Sequence, residues 1–141
     1  MTSDEIIARL ELAPHPEGGF FRQTFQSDAL DGMRPAGTAI LFLLQDGPGS
    51  HWHRVDADEL WFWHAGAPLI LSIAATDDGP ATDHLLGPDM DAHSFQGLVP
   101  RDHWQAARTT GDWTLVSCTV SPGFQFGGFT LAPPDFDIPR T

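Results

Sequence analysis

Turn formers interrupt this chain at short intervals, and that spacing restricts its fold more than any other feature. DGPGS, HAGAP, TDDGP, GPDMDAH, TTGD and SPG separate runs that are either apolar throughout or alternate with period two. TAILFLLQ is continuously apolar, as expected of a strand buried on both faces, whereas FFRQTFQS after the Gly18-Gly19 pair alternates. ELWFWH, PLILSIAAT, ATDHLLG, SFQGLVP, WQAARTT, WTLVSCTV and FQFGGFTLA are each of strand length. With twelve prolines in the chain, this pattern predicts an all-β sandwich or barrel of jelly-roll type. One helix is expected, at the start. Thr2 or Ser3 caps it, Glu5 stands where a capping box needs an acid, and Ile6, Ile7 and Leu10 share a face. Pro14 stops it at Ala13. Residues 1–141 read as a single domain, without internal repeat or linker, and the tail after Ala132 reads as irregular and superficial.

Charge narrows the partners. Nineteen acidic residues against seven basic ones give a formal net charge of −12. Nucleic acid and anionic membrane surfaces are both disfavoured by that sign. No apolar run has membrane-span length, and MTSDEIIARLEL lacks the basic start and apolar centre of a signal peptide. A single cysteine, Cys118, forms no intrachain disulfide, so a cytoplasmic location is expected. The chain contains no Lys and no Tyr. Schiff-base chemistry and phenolic general acids are therefore excluded.

The chemistry concentrates in SHWHRVDADELWFWHAG, residues 50–66. On a regular strand His51 and His53 leave the same face. A short polar turn, Arg54 to Asp58, brings Glu59 back over them. Two imidazoles and a carboxylate suit a divalent transition metal with open positions for a substrate. Glu59 shares its strand face with Trp61 and Trp63, an apolar setting in which an unpartnered carboxylate is costly. Further on, GLVPRDHWQAA places His103 and Gln105 on one face and Trp104 on the other. Either His103 or the amide oxygen of Gln105 can complete the donor set.

These motifs resemble the cupin superfamily. His51, His53, Glu59 and Gly66 resemble its first motif, and Gly97 with Pro100 to Gln105 resembles its second. The chain is most similar to a small, largely uncharacterised single-domain branch. That branch opens with HPEGG, here His15 to Gly19, continues through Asp58-Glu59-Leu60-Trp61 and Val99 to Ala107, and closes with CTVSPGFQF, Cys118 to Phe126. The resemblance implies a cupin-type double-stranded β-helix with its motif residues in the barrel mouth, commonly as a homodimer. It implies a metal set of His51, His53, Glu59 and Gln105, with Gln105 standing where the superfamily usually has its last His.

The expected function is a small-molecule cupin acting on a sugar or small polar acid. One reading is a metal-dependent isomerase, epimerase or lyase holding Zn, Mn, Fe or Ni, with Glu59 as ligand or base and His103 as mobile acid or base. The alternative is a binding or sensing module without metal or turnover. Arg22 and Thr24 on the strand after HPEGG, with Trp61, Trp63 and Phe126, are the expected ligand contacts.

Overall fold

The computed structural model describes all 141 residues. Helix α1 (Ser3–Leu10) precedes eleven strands: β1 (Ala13–Pro14), β2 (Phe20–Gln26), β3 (Thr38–Gln45), β4 (Ser50–Val55), β5 (Asp58–Gly66), β6 (Leu69–Ala74), β7 (Thr82–Leu86), β8 (Gln96–Val99), β9 (Trp104–Thr109), β10 (Trp113–Ser121) and β11 (Phe129–Leu131). They form two antiparallel sheets, β1-β2-β3-β10-β5-β8 and β11-β4-β9-β6-β7. No helix is long and apolar enough to cross a membrane.

Side-chain alternation accounts for the core. Along β10, Thr114, Val116, Cys118 and Val120 are buried while the residues between them are only partly so. Val116 and Cys118 meet Phe42, Leu44, Trp61, Leu69 and Leu71 between the sheets. The unbroken apolar run of β3 has a second cause. Phe42 and Leu44 face that core, whereas Leu43 lies beneath Ile6 and Leu12 on the outer side, under α1. The helix is capped by Thr2, whose hydroxyl accepts the Glu5 amide at 3.2 Å, and it ends at Glu11 in the left-handed conformation.

Two segments differ from the sequence expectation. FQFGGFTLA is not one strand: Phe126–Gly128 forms a 3-10 turn before the short β11. The turn is pinned where the Asp56 amide donates to the Gly128 carbonyl at 3.1 Å, and Asp56 is itself held by Arg34. The irregular tail is not merely superficial either. Ile138 is fully buried with Trp52, Ala81 and Trp104, and Asp137 accepts the Trp52 indole N–H at 2.9 Å.

Strand β4 departs from regularity in a way that sets up the site. Ser50 pairs with Ala107 and His53 with Gln105, so three steps on β4 oppose two on β9. The extra residue makes a bulge, and the alternation of side chains slips by one across it. Ser50 and His53 both turn inward, while Trp52 joins the outer cluster around Ile138. The HPEGG turn sits on this strand: the His51 amide donates to the Glu17 carbonyl at 2.8 Å. Gly18 has φ +106° and Gly49 has φ +72°, and a Cβ on Gly18 would collide with the Gly49 carbonyl. Only glycine fits both positions.

Gly18→Ala and Gly49→Ala are each expected to lower stability by about 2–4 kcal/mol. Urea unfolding checks this; Gly47→Ala, in open space but also at positive φ, serves as the control for backbone strain alone and should cost about 1 kcal/mol.

Candidate functional site

A cavity of about 200 Å³ opens at one end of the barrel. β2, β3, β4, β5 and β10 supply its sides and the segment Phe124–Phe126 overhangs it. His53, Glu59, Glu17 and Cys118 bring polar groups to the interior; Phe21, Ile40, Val55, Val120, Phe124 and Phe126 make the walls apolar. Gln23, Gln26 and Gln125, all exposed, stand at the mouth.

Glu59 heads a chain of hydrogen bonds whose direction can be assigned. The Trp61 indole N–H can only donate, and it donates to Gln105 Oε1 at 2.8 Å. The amide of Gln105 is thereby oriented, and its Nε2 donates to Glu59 Oε1 at 2.9 Å. All three side chains are buried. The Glu59 carboxyl is raised to about 7, chiefly by burial and also by the nearby Glu17, against the opposing effects of His53 and the hydrogen bonds from Gln105 and Cys118. Burial also pushes the Cys118 thiol well up, so it stays protonated.

Glu17 forms the second group. The Ser50 hydroxyl donates a short hydrogen bond to its carboxylate, and His53 Nε2 lies 3.3 Å from Oε2. His53 Nδ1 lies 2.7 Å from the His51 carbonyl, which only accepts, so Nδ1 carries a hydrogen. If His53 is neutral, its Nε2 lone pair faces Glu17. One proton must then sit between the two groups, on Glu17 or on His53, for the contact to be attractive. Burial favours the neutral pair, lowering His53 and raising Glu17 to about 8. His15 lies 3.2 Å from Glu17 Oε1, but this is not an ion pair. Its Nδ1 accepts the Glu17 amide N–H at 3.1 Å, and burial followed by the His53 charge lowers it to about 4. A ring of Phe21, Phe42, Phe126 and Phe129 surrounds it.

The structure brings His53, Glu59 and Gln105 together and leaves His51 out. At the β4 bulge His51 turns outward, and its Nε2 meets the Pro133 carbonyl at 2.8 Å. Arg22 and Thr24 lie on the exposed face of β2, bonded to the carbonyls of Leu10 and Ala39; Phe21 and Gln23 reach the cavity instead. Trp61 acts on the cavity through Gln105, and Trp63 donates to the Ala67 carbonyl, away from it. His103 precedes β9 and lines a separate groove with His84 and Leu98, which removes it from the acid–base set. Phe126 does line the cavity. Glu17 and His15 were missed as site residues because the HPEGG turn reads as a structural feature. The signal was a glutamate, one of only four in the chain, set between a proline and two glycines.

The metal set implied by the motifs does not fit this arrangement. No group of three His, Cys, Asp or Glu side chains is disposed to hold a metal ion. His51 points away, and Gln105 presents its amide nitrogen rather than its oxygen to the site. Turning Gln105 over would leave the Trp61 N–H facing an N–H group in a buried setting.

Comparison with known proteins places these features in a family. The family described as "Cupin superfamily (DUF985)" matches residues 4–132. Protein SO0799 from Shewanella oneidensis is 39% identical with a TM-score of 0.87, over 94% of this chain and 85% of its own. A hypothetical protein from Leishmania major is 31% identical with a TM-score of 0.83, over 94% and 88%. Oxalate decarboxylase of Bacillus subtilis shares the fold at 12% identity and a TM-score of 0.62, over 84% of this chain but 29% of its own. No curated protein matches the sequence.

The perturbed groups predict a pH dependence of stability. Glu17 and Glu59 have folded-state values above their unfolded ones, so the folded state holds more protons. Their contribution is fully present below about pH 4.5 and is lost as pH rises through about 7 and 8. His15 and His53 act oppositely, costing stability as pH falls below about 6.5. Between about pH 6.5 and 8.5 the loss from the carboxylates exceeds the remaining gain as the unfolded-state histidines deprotonate, and net stability should fall by on the order of 1–2 kcal/mol. Glu17→Gln should flatten that decline. Urea midpoints across the range check both, and a stability that rises with pH there contradicts the assignment.

Proposed function

The chain belongs to the Cupin superfamily (DUF985), and on that premise we propose that it binds a small molecule in the barrel cavity and transfers protons on it with its own side chains. The reading rests on one observation: Glu17, His53 and Glu59 converge on a single enclosed space, beside an amide locked as a donor. Two carboxylates raised towards neutrality can each exist in both protonation states near pH 7, as general acid and base catalysis requires.

In this scheme Glu59, oriented by Gln105, is the base that removes a proton from carbon. The Glu17–His53 pair holds the proton that is delivered to oxygen, or to the opposite side of the same carbon. Proton return to carbon gives isomerisation or epimerisation. Delivery to a departing hydroxyl gives water and a double bond, a lyase step. Phe21, Phe124 and Phe126 exclude water and bind the apolar part of the substrate. Zn, Mn, Fe or Ni, the ions suggested by the motifs, has no step here, because the donor set does not assemble.

The test is incubation of the chain in deuterated water with fractionated small metabolites, followed by mass spectrometry. One compound should gain deuterium at carbon or lose water, unaffected by chelators, and Glu59→Gln should slow the change by about 10²–10⁴-fold. Conversion that is abolished by chelation and restored by a divalent metal overturns the proposal. A compound retained without conversion points to the binding module instead.

A further inference from the structure

The cavity that carries the proposed function also selects for charge. The chain has seven arginines and no lysine, and no arginine lines the cavity. Arg34 comes close to the wall, since its Nε donates to the Gly123 carbonyl at 2.6 Å, next to Phe124. Its two terminal nitrogens, however, are taken by the Asp56 carboxylate at 2.7 and 3.1 Å. Arg22 sits between Phe21 and Gln23 in sequence but leaves the other face of β2, its Nε donating to the Leu10 carbonyl at 2.8 Å.

The two imidazoles add no positive charge that a ligand could use. His15 spends Nδ1 on accepting the Glu17 amide, and the Nδ1–H of His53 is spent on the His51 carbonyl. His53 Nε2 faces Glu17. Against these stand two buried carboxyl groups, Glu17 and Glu59. At the mouth the polar side chains are Gln23, Gln26 and Gln125, which are uncharged.

The geometry points to an uncharged or cationic ligand that offers N–H or O–H groups to Glu17 and Glu59 and a flat apolar portion to the phenylalanines. Carboxylates and phosphates are rejected: such a group would lose its hydration and meet acceptors instead of a cation. The inference rests on the cavity reading of the preceding subsection and removes the small acids from the expected substrate class. The space suits a ligand of single-ring size, since an apolar cavity of about 150 Å³ already holds benzene.

Three probes of one shape and different charge test this: benzamidinium, benzamide and benzoate. Each is titrated into the full chain at about pH 9, above both carboxyl values, with the Trp and backbone amide signals followed by NMR. Benzamidinium and benzamide are expected to shift the resonances of residues lining the cavity, and benzoate to bind at least about tenfold more weakly than benzamide. Glu59→Gln should narrow the gap between benzamidinium and benzoate to below about threefold, and Glu17→Gln should do so independently where one variant folds poorly. Benzoate binding as tightly as benzamide overturns the charge inference while leaving the cavity as a binding site. If none of the three shifts those resonances, the charge inference and the reading beneath it both fall.

Discussion

The interaction on which the rest depends is the burial of the Glu17 carboxyl group between Ser50 and His53. A carboxylate placed in an apolar barrel without a partner is costly enough that surrounding structure must answer it. Here the answer is structural as well as electrostatic. The HPEGG turn must approach β4 closely enough for the Glu17 carbonyl to accept the His51 amide, which is why Gly18 and Gly49 come backbone to backbone. β4 must also present Ser50 and His53 on the same side, and a regular strand cannot do that for residues three apart. The bulge against β9 removes the conflict.

A second carboxyl group in the same space raises the demand. Glu17 disfavours ionisation of Glu59, and His53 stands between them in charge terms, close to the one and stabilising the other. The Trp61–Gln105–Glu59 chain resolves the second half. Because the indole can only donate, every atom of that chain has a defined role, and Glu59 keeps a donor partner in either protonation state. The outcome is a cavity with two proton-carrying groups, each held by different partners.

Much of this architecture was legible in the residues. Turn spacing and alternation indicated an all-β barrel, Thr2 and Glu5 marked the helix start, and the β3 run indicated burial on both faces. Period two gave only shared faces, such as Glu59 with Trp61 and His103 with Gln105; that His53, Glu59 and Gln105 turn inward was what the motif resemblance implied. Three things were not legible. The bulge is a property of how β4 pairs with β9, and nothing in SHWHR announces it, so His51 was assigned the wrong face. Arg22 and Thr24 failed by the same parity, because only the paired sheet reveals which face of β2 looks inward. Glu17 was hidden for a different reason: a glutamate in a Pro-Glu-Gly-Gly turn looks solvent-exposed until the turn is docked on another strand.

The single extra residue in β4 therefore has a chemical consequence as well as a geometric one. Without the slip, His51 and His53 would share a face, and Ser50 would point away from Glu17. With it, one imidazole leaves the cavity, and the Ser50 hydroxyl is turned to hold the carboxyl group that the HPEGG turn contributes. The donor set changes from two imidazoles with two oxygen donors to one imidazole among carboxyl groups, richer in oxygen and protic. A site of that composition holds protons well, because each of its acids has a hydrogen-bonded neighbour and neither is drawn to full ionisation by a cation. It is the pairing register of one edge of one strand, more than the identity of the histidines, that decides which chemistry the barrel can support.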